Sequence, residues 1–332
     1  MIDASETPVP DSAFVTGGSG FIGGRLVRRL AGGGTRVRAL ARSDRSAAAV
    51  ESLGAEAVRG DLDDPASMVA GAEGCAITFH LAAHLGQWGT RAEFVRGNVT
   101  GTENALEASR RAGVGRFVHC GTEAALLAGE PLVEVDESAP LRPDSRALYS
   151  STKAQAERLV RSANGSGFET VMLRPRLVWG VGDTTLLHEF VAAAQSGKLA
   201  WIGGGGHLTA TTHVDNVVEG LLLAAAKGGA GEAYFVTDGE PVVFREFVSA
   251  LLETQGVEPP TRSIPSWVGA GAAAACEAAW RLLPLGGEPP LTRLAYWLSA
   301  QECTIDISKA RTELGYEPVI GREAGLAELR GA

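Results

Sequence analysis

Positive charge is what this chain is shortest of. It carries 30 Lys and Arg against 39 Asp and Glu, a formal net charge of −9. An acidic surface repels a phosphate backbone, which argues against nucleic acid as a partner. Cysteine is scarce too: four residues, Cys75, Cys120, Cys276 and Cys303, with no CxxC pair among them. That spacing supports neither a zinc ribbon nor a disulfide framework. Metal-ligand sets are missing as well. His80 and His84 stand four apart, as zinc ligands on one helix face do, but His80 closes a strand and no third ligand accompanies them. No metal site is expected. Long apolar runs are also lacking. The most apolar stretch, 265–276, is interrupted by Glu277 and Arg281, well short of the roughly 20 residues a membrane span needs. It reads as a packed Ala-rich helix; a substrate lid and a membrane-surface helix are the other readings. Residues 1–12 have no basic region and no apolar region of a secretory leader. A cytoplasmic protein with no integral membrane span is the expectation.

What the chain does have is length for a large core and an alternating texture. Its 332 residues suit one large α/β domain with an appended lobe, and 45% of them are hydrophobic. Stretches 13–16, 36–41, 76–81, 116–120 and 170–173 read as strands, and 23–31, 99–111 and 149–163 as amphipathic helices. This alternation predicts α/β architecture, a doubly wound parallel sheet of the Rossmann kind covered on both faces. After Arg174-Pro175 the texture changes. Glycine-bearing loops appear at 180–183 and 203–206, 212–226 reads as a strand end running into a helix, and 233–236 as one more strand. From Gly239 onward helix and loop alternate with proline. The predicted division is a dinucleotide-binding domain at 12–175, revisited at about 209–237. Residues 176–208 and 238–332 then form a smaller, mostly helical substrate lobe.

Thr16-Gly17-Gly18-Ser19-Gly20-Phe21-Ile22-Gly23 follows the first strand and opens the first helix. Gly17, Gly20 and Gly23 permit a tight turn and close approach of a pyrophosphate, which the helix N-terminus then holds. No Lys-Ser/Thr follows, so a Walker A loop is excluded. Ser19 is no nucleophile elbow, because Phe21 breaks the Gly-x-Ser-x-Gly frame. An NAD site usually ends its second strand on Asp or Glu, to hold the ribose 2′-hydroxyl. Here Ala41 and Arg42 stand there, with Arg45 nearby. A guanidinium suits a 2′-phosphate, so NADP(H) is the preferred cofactor and NAD(H) the lesser one.

Tyr149 and Lys153 are one helical turn apart, so their Cβ atoms lie about 6 Å apart on one face. A free phenol has a pKa near 10; a nearby ammonium favours the phenolate and lowers it. Thr122, just after the strand at 116–120, is placed to point its hydroxyl into the crevice at the carboxyl end of the sheet. Asn98 has two readings, a helix cap and a polar brace beside the site. Asp215, in His213-Val214-Asp215-Asn216, reads as a loop-bracing carboxylate, with a catalytic role as the other reading. Trp88, Trp179, Trp201, Trp267 and Trp297 are candidates to wall an apolar pocket, although core packing explains any one of them equally well. Trp88, Trp179 and Glu123, the neighbour of Thr122, are the substrate-side candidates.

Taken together these segments resemble the extended short-chain dehydrogenase/reductases. The matching pieces are TGGSGFIG at 16–23, GDL at 60–62, HLAA at 80–83, NVTGT at 98–102, YSSTK at 149–153, RPRLVWG at 174–180 and HVDN at 213–216. The resemblance implies that Ser19, Phe21, Ile22 and Asn98 join the glycines around the cofactor. It also implies that Asp61 and Leu62 flank the adenine, that Leu81, Ala82 and Ala83 line the ribose, and that Pro175 and Leu177 abut the nicotinamide. Tyr149, Lys153 and Thr122 match the catalytic trio, Tyr149 and Lys153 also touching the cofactor. Thr122 replaces the commoner Ser, and Cys120-Gly121 replaces small hydroxyl residues. Segments 86–89 (GQWG), 262–265 (RSIP), 287–293 (GEPPLTR) and 306–310 (DISKA) are similar to the bacterial 3β-hydroxysteroid dehydrogenase-like branch. That branch implies interconversion of a ketone and a secondary alcohol on a hydrophobic substrate, such as a 3-oxo steroid or a 2-alkyl-3-oxoalkanoate. It also implies a homodimer built through the helices beginning near Asn98 and Tyr149. A nucleotide-sugar epimerase or dehydratase with tightly held NAD is the alternative, against which stand the missing acid at 41–42 and the apolar lobe. A dinucleotide-sensing protein without catalysis is the alternative of another class, against which stand both Tyr149 and Lys153.

Overall fold

Seven parallel strands form the centre of the computed structural model, which describes residues 7–331. They are β1 (Ser12–Thr16), β2 (Arg36–Ala41), β3 (Glu56–Arg59), β4 (Ile77–His80), β5 (Arg116–Cys120), β6 (Glu169–Pro175) and β7 (Ala233–Val236), in the order β3-β2-β1-β4-β5-β6-β7. β1, β4 and β7 are buried throughout, which is why each is a nearly continuous apolar run rather than an alternating one. Alternation survives only as a choice of face. Val15 packs with Leu26, Val27 and Val217 on one side, while Phe14 packs with Met68, Leu106 and Phe117 on the other.

The helices complete the two layers. α1 (Phe21–Gly32) and α7 (Val214–Lys227) pack together on the first face. On the second, α3 (Pro65–Ala72) packs on α4 (Gly101–Arg111), and α4 packs on α5 (Leu148–Ala163). α2 (Asp44–Glu51) sits against the β2–β3 edge. The strand order reverses between β1 and β4, where Thr16 pairs with His80. Ligands of open α/β sheets bind at the carboxyl ends beside such a switch point.

Several elements coincide with the sequence reading: 36–41, 116–120 and 233–236 are strands over the stretches predicted. β3 and α2 were not read. In β3 the sequence is EAVR and Val58 alone is buried, so an edge strand leaves little periodic signal. The helix read at 99–111 begins earlier. Thr90 caps Arg91–Phe94, then Val95–Thr100 widens to π-helical spacing before α4. Asn98 therefore lies inside a helical segment and is not a cap.

A third core lies beyond β6. Trp179, Trp201, Phe244, Phe247 and Leu251 bring together α6 (Leu186–Gln195), α8 (Phe244–Thr254) and α11 (Arg322–Gly331). A short mixed sheet joins Val242–Val243, Leu208–Thr209, Cys303–Ile305 and Leu132–Val135 in that order. α9 (Ser266–Leu282) contains the Ala-rich segment. It buries the stripe Gly269, Ala273 and Glu277, and Glu277 accepts from the backbone of Arg293 at the start of α10 (Arg293–Ala300). Its other side leaves Trp267 78% and Leu282 82% exposed. Among the described residues no helix is long and apolar enough to cross a membrane.

Candidate active site

The loop after β1 is shaped by backbone contacts. Gly17 has φ +75°, and a Cβ there would stand 2.7 Å from the Ala82 nitrogen. At Gly23 a Cβ would come within 2.1 Å of the Gly17 carbonyl oxygen. Only glycine lets the loop fold back on both the end of β4 and its own helix. Gly20 starts α1 with no side-chain cap and no acid in the first turn, so the first-turn N–H groups at Phe21, Ile22 and Gly23 are left for an anion.

Beside the loop lies a cavity of about 630 Å³, within the range of small-molecule sites. Gly17, Ser19 and Gly20 line one side of it, Asp61 and Leu62 another, and Leu81, Ala82 and Ala83 a third. Arg42 is on its exposed rim with Ser46, and among the described residues it has no ion-pair partner. The neighbouring carboxylate, Asp44, is taken by Arg59. The residues fit a dinucleotide: a backbone cradle for the pyrophosphate, a free guanidinium on the rim, and a carboxylate at Asp61. Ser46 and Arg96 line the same cavity and were not singled out from sequence.

The wall is locked from behind. His80 is fully buried, with Nδ1 on the Thr16 hydroxyl (2.8 Å) and Nε2 on the Thr102 hydroxyl (3.1 Å). Burial, then the charge of Lys153, lowers its pKa to about 3, so the ring is neutral and structural. Asn98 braces the next loop. Its Oδ1 accepts from the His84 N–H (2.7 Å), and its Nδ2 donates to the His84 carbonyl (3.2 Å) and the Thr152 hydroxyl (3.1 Å). The amide is spent on protein partners, which fits the brace reading.

The cavity stops short of Thr122, Tyr149 and Lys153, the candidate proton-transfer groups. Tyr149 stands in the first turn of α5, half-buried, and Thr122 stands just past β5 as the cap of a single 3₁₀ turn, Glu123–Leu126. The Thr122 hydroxyl donates to Glu123 Oε2 (2.7 Å) and its oxygen accepts from the Ala124 N–H (3.1 Å). Lys153, one turn along α5, is buried and donates to the Cys120 carbonyl (3.2 Å). Burial pushes the Tyr149 phenol well above its ordinary range; the Glu123 carboxylate adds to that push, and the Thr122 hydroxyl opposes it. Burial also lowers Lys153. The lowering of Tyr149 anticipated from Lys153 is thus outweighed: the ammonium faces a carbonyl, and a carboxylate lies beside the phenol.

Two substrate-side expectations need correcting. Glu123 is 2% exposed. Its Oε1 accepts from Arg176 Nη1 (2.6 Å) and its Oε2 from the Thr122 hydroxyl (2.7 Å), so it sits behind Thr122 rather than in an open pocket. Trp179 is wholly buried. Its Nε1 donates to Asp238 (2.8 Å), and its ring packs edge-on against His213 and Phe247, which makes it core. Trp88 is half-buried beneath the Arg281 guanidinium, 5.5 Å from the ring centroid, and so ties the loop after β4 to α9. Pro175 ends β6 and is buried; Leu177 follows with φ +37°, a strained conformation for leucine, in the turn leading to Val178–Trp179. Asp215 pairs with Arg25 at 3.6 Å. The stronger brace is Asp238, unread from sequence, which accepts from Trp179, Thr211, the His213 N–H and Asn216.

A glycine cradle at the switch point, with tyrosine, lysine and threonine gathered beyond β5, is the layout of a dehydrogenase, and residues 14–266 match the 3-beta hydroxysteroid dehydrogenase/isomerase family. The chain belongs to that family. It is an extended short-chain dehydrogenase/reductase, an oxidoreductase that uses a nicotinamide dinucleotide to interconvert ketone and alcohol. A 4-hydroxy-2-methyl-3-oxo-4-farnesyl-3,4-dihydroquinoline-1-oxide ketoreductase of Stigmatella aurantiaca is 46% identical over 96% of this chain and 96% of its own length. A 2-alkyl-3-oxoalkanoate reductase of Stenotrophomonas maltophilia is 38% identical over 96% of this chain and 98% of its own. Among solved structures, a dTDP-glucose 4,6-dehydratase of Streptomyces venezuelae with NAD bound superposes with a TM-score of 0.75. It is 24% identical over 96% of this chain and 95% of that one, a likeness of fold.

Proposed function

We propose that this family member is an NADP(H)-preferring ketoreductase acting on an apolar ketone whose neighbouring carbon carries an alkyl group. The observation that carries the catalytic reading is the placing of Thr122 just past β5 and of Tyr149 in the first turn of α5, with Lys153 one turn on donating to the Cys120 carbonyl. The substrate class rests on the two reductases above, whose names both describe a 3-oxo group beside a 2-alkyl or 2-methyl carbon. The cofactor preference rests on Arg42, which among the described residues has no ion-pair partner and stands on the rim of the cavity, where its guanidinium could meet a ribose 2′-phosphate.

In this reading the open N–H groups of the first turn of α1 bind the pyrophosphate and Arg42 the 2′-phosphate. The bound dinucleotide supplies the hydride. Tyr149 donates the proton to the substrate oxygen, and Lys153 sits behind it on the Cys120 carbonyl. A phenol held protonated by burial is the donor form, which suits reduction. We propose that 12–175 and 209–237 hold the dinucleotide while 176–208 and 238–332 cover the substrate. A homodimer through the helices beginning near Asn98 and Tyr149 is a further proposal, read by light scattering on the intact protein.

The test is NADPH consumption against 2-alkyl-3-oxo acids or their thioesters, 3-oxo steroids and unbranched aryl ketones. The reading expects the first group to be reduced fastest, with kcat/KM higher for NADPH than for NADH. Protein that copurifies with stoichiometric NAD and converts a nucleotide sugar would replace it with the epimerase reading.

A further inference from the structure

The loop after β4 faces two ways. Leu81 to Leu85 line the cavity beside the glycine turn. Gln87 and Trp88 reach the other way. Gln87 Nε2 donates to Glu189 on α6 (3.2 Å), and its Oε1 accepts from the Thr292 hydroxyl (2.9 Å). Thr292 caps α10, its oxygen accepting from the Ala295 N–H at 3.0 Å. The Trp88 ring lies under Arg281, in the last turn of α9. Gly86 and Gly89 bracket the pair at φ +141° and +152°. At Gly86 a Cβ would meet nothing closer than 3.8 Å, so glycine there serves backbone conformation and not packing.

What the pair holds in place is α10. Leu294 and Trp297 of α10 form one buried cluster with Ala124, Leu127 and Ala147, the residues around the 3₁₀ turn after β5 and the start of α5, and Tyr149 packs against that cluster. The far end of α10 is fixed as well: Gln301 donates to the Gly129 carbonyl (2.5 Å), and the Trp297 ring lies over Gly129. The same region gathers apolar side chains in solvent. Among the described residues eight large hydrophobics are exposed, and four of them flank the Trp88–Arg281 contact along the chain: Leu85 from one segment, Leu282, Leu283 and Leu285 from the other. Since Trp88 and Arg281 touch, two separate segments bring these leucines to one place. Apolar residues gathered on a surface in this way mark a ligand groove, which scattered ones do not.

We propose that Gln87 and Trp88 are specificity-determining residues: they latch α9 and α10 across the approach to Tyr149, and the leucines beside the latch seat the alkyl arm of the ketone. This rests on the reading of Tyr149 as proton donor to an alkyl-bearing ketone, and adds where the arm lies and what admits it. The cavity ends before Tyr149, so the latch parts for a ketone to reach the phenol and closes again over the arm. Gln87 suits that task. Its amide donates one bond and accepts the other, so opening breaks two hydrogen bonds at a half-buried site and leaves no charge unpaired. A long arm that covers the leucines offsets that cost, and a short one does not.

The experiment compares wild type, Gln87→Ala, Trp88→Ala and the double variant Leu282→Ser/Leu283→Ser, with Val319→Ser as a control at an exposed apolar residue outside the latch. Each is first checked for NADPH binding by fluorescence and for thermal unfolding. The measured quantities are kcat and KM for thioesters of 2-alkyl-3-oxo acids whose 2-alkyl arm grows from methyl to octyl. In wild type and Val319→Ser, kcat/KM rises about tenfold along the series, which a few covered methylenes suffice to give. In the leucine double variant that rise disappears through KM for the long arms, with kcat and the methyl compound unchanged. Gln87→Ala and Trp88→Ala flatten the series in the same way and leave NADPH binding as in wild type. A series that rises equally in wild type and in the latch and leucine variants would overturn the proposal. So would equal losses for methyl and octyl compounds, which is what a merely structural role produces. The leucines are exposed, so their substitution spares the fold and decides the matter even where Trp88→Ala unfolds. The two levels separate on wild type alone. Reduction of every member at one rate, whatever the arm, sinks the alkyl seat and leaves the ketoreductase reading standing; reduction of none sinks both.

Discussion

The glycine-loop cavity and the Tyr149 cluster lie at the carboxyl end of the same sheet but are built by opposite means. The cavity is made by backbone. Gly17 and Gly23 are set by what a Cβ would strike, and the open end of α1 contributes peptide N–H groups. The Tyr149 cluster is made by side chains from distant segments: Tyr149 and Lys153 from α5, Thr122 and Glu123 after β5, Arg176 after β6 and Thr209 from the small sheet. Backbone sites are specified locally and tolerate almost no added atom. Side-chain networks are specified globally, and an isosteric change can spare the fold while altering the chemistry.

That contrast can be broken by two variants that fail in opposite ways. Tyr149→Phe should lower kcat about 10²–10⁴-fold, the usual worth of a positioned acid or base, with NADPH affinity unchanged. Gly23→Ala should do the reverse, abolishing measurable NADPH binding in titrations, because the new methyl overlaps the Gly17 carbonyl. If Gly23→Ala binds NADPH normally, the cavity is not the dinucleotide site. Trp179→Ala should lower stability by about 3–5 kcal/mol, the usual cost of emptying a large aromatic from a core. Turnover per folded molecule should persist, as read by chemical denaturation alongside active-site titration. A large rise in ketone KM at full stability would restore Trp179 to the substrate pocket.

Smaller effects sharpen the cofactor side. Arg42→Ala should cost about 1.5–3 kcal/mol of NADPH binding, the range for a charged hydrogen bond, and leave NADH nearly untouched. Equal losses for both cofactors would place Arg42 away from the 2′-phosphate. Smallest of all, Trp267→Ser should change thermal stability within about 0.5 kcal/mol, as exposed surface substitutions do, since Trp267 is 78% exposed.

Legibility followed the same division. β1 and β7 were readable because buried strands leave nearly unbroken apolar runs, and β2 because its apolar residues alternate with Arg36 and Arg38, whereas β3, on an edge with Val58 as its buried residue, left almost no signal. The stretch around Asn98 misled because a widened turn carries no sequence mark distinguishing it from a helix start. Glu123 and Trp179 were misplaced for a common reason. The partner that buries Glu123 is 53 residues away, and the acceptor for the Trp179 indole is 59 residues away. Neither separation has a local signature, and a polar or aromatic residue near a reactive hydroxyl looks the same in sequence whether it faces substrate or core.

By itself the amino-acid sequence determined the doubly wound sheet, the glycine turn after β1, and the placing of Tyr149 and Lys153 one helical turn apart with Thr122 just past β5. Each rests on spacing along one strand, loop or helical turn, where covalent geometry fixes which residues share a face. The tertiary structure alone decided that the Thr122 hydroxyl donates to the buried Glu123 carboxylate, and that burial more than any single charge sets the Tyr149 phenol. Those outcomes depend on desolvation and on charges brought together from β5, β6 and the small mixed sheet.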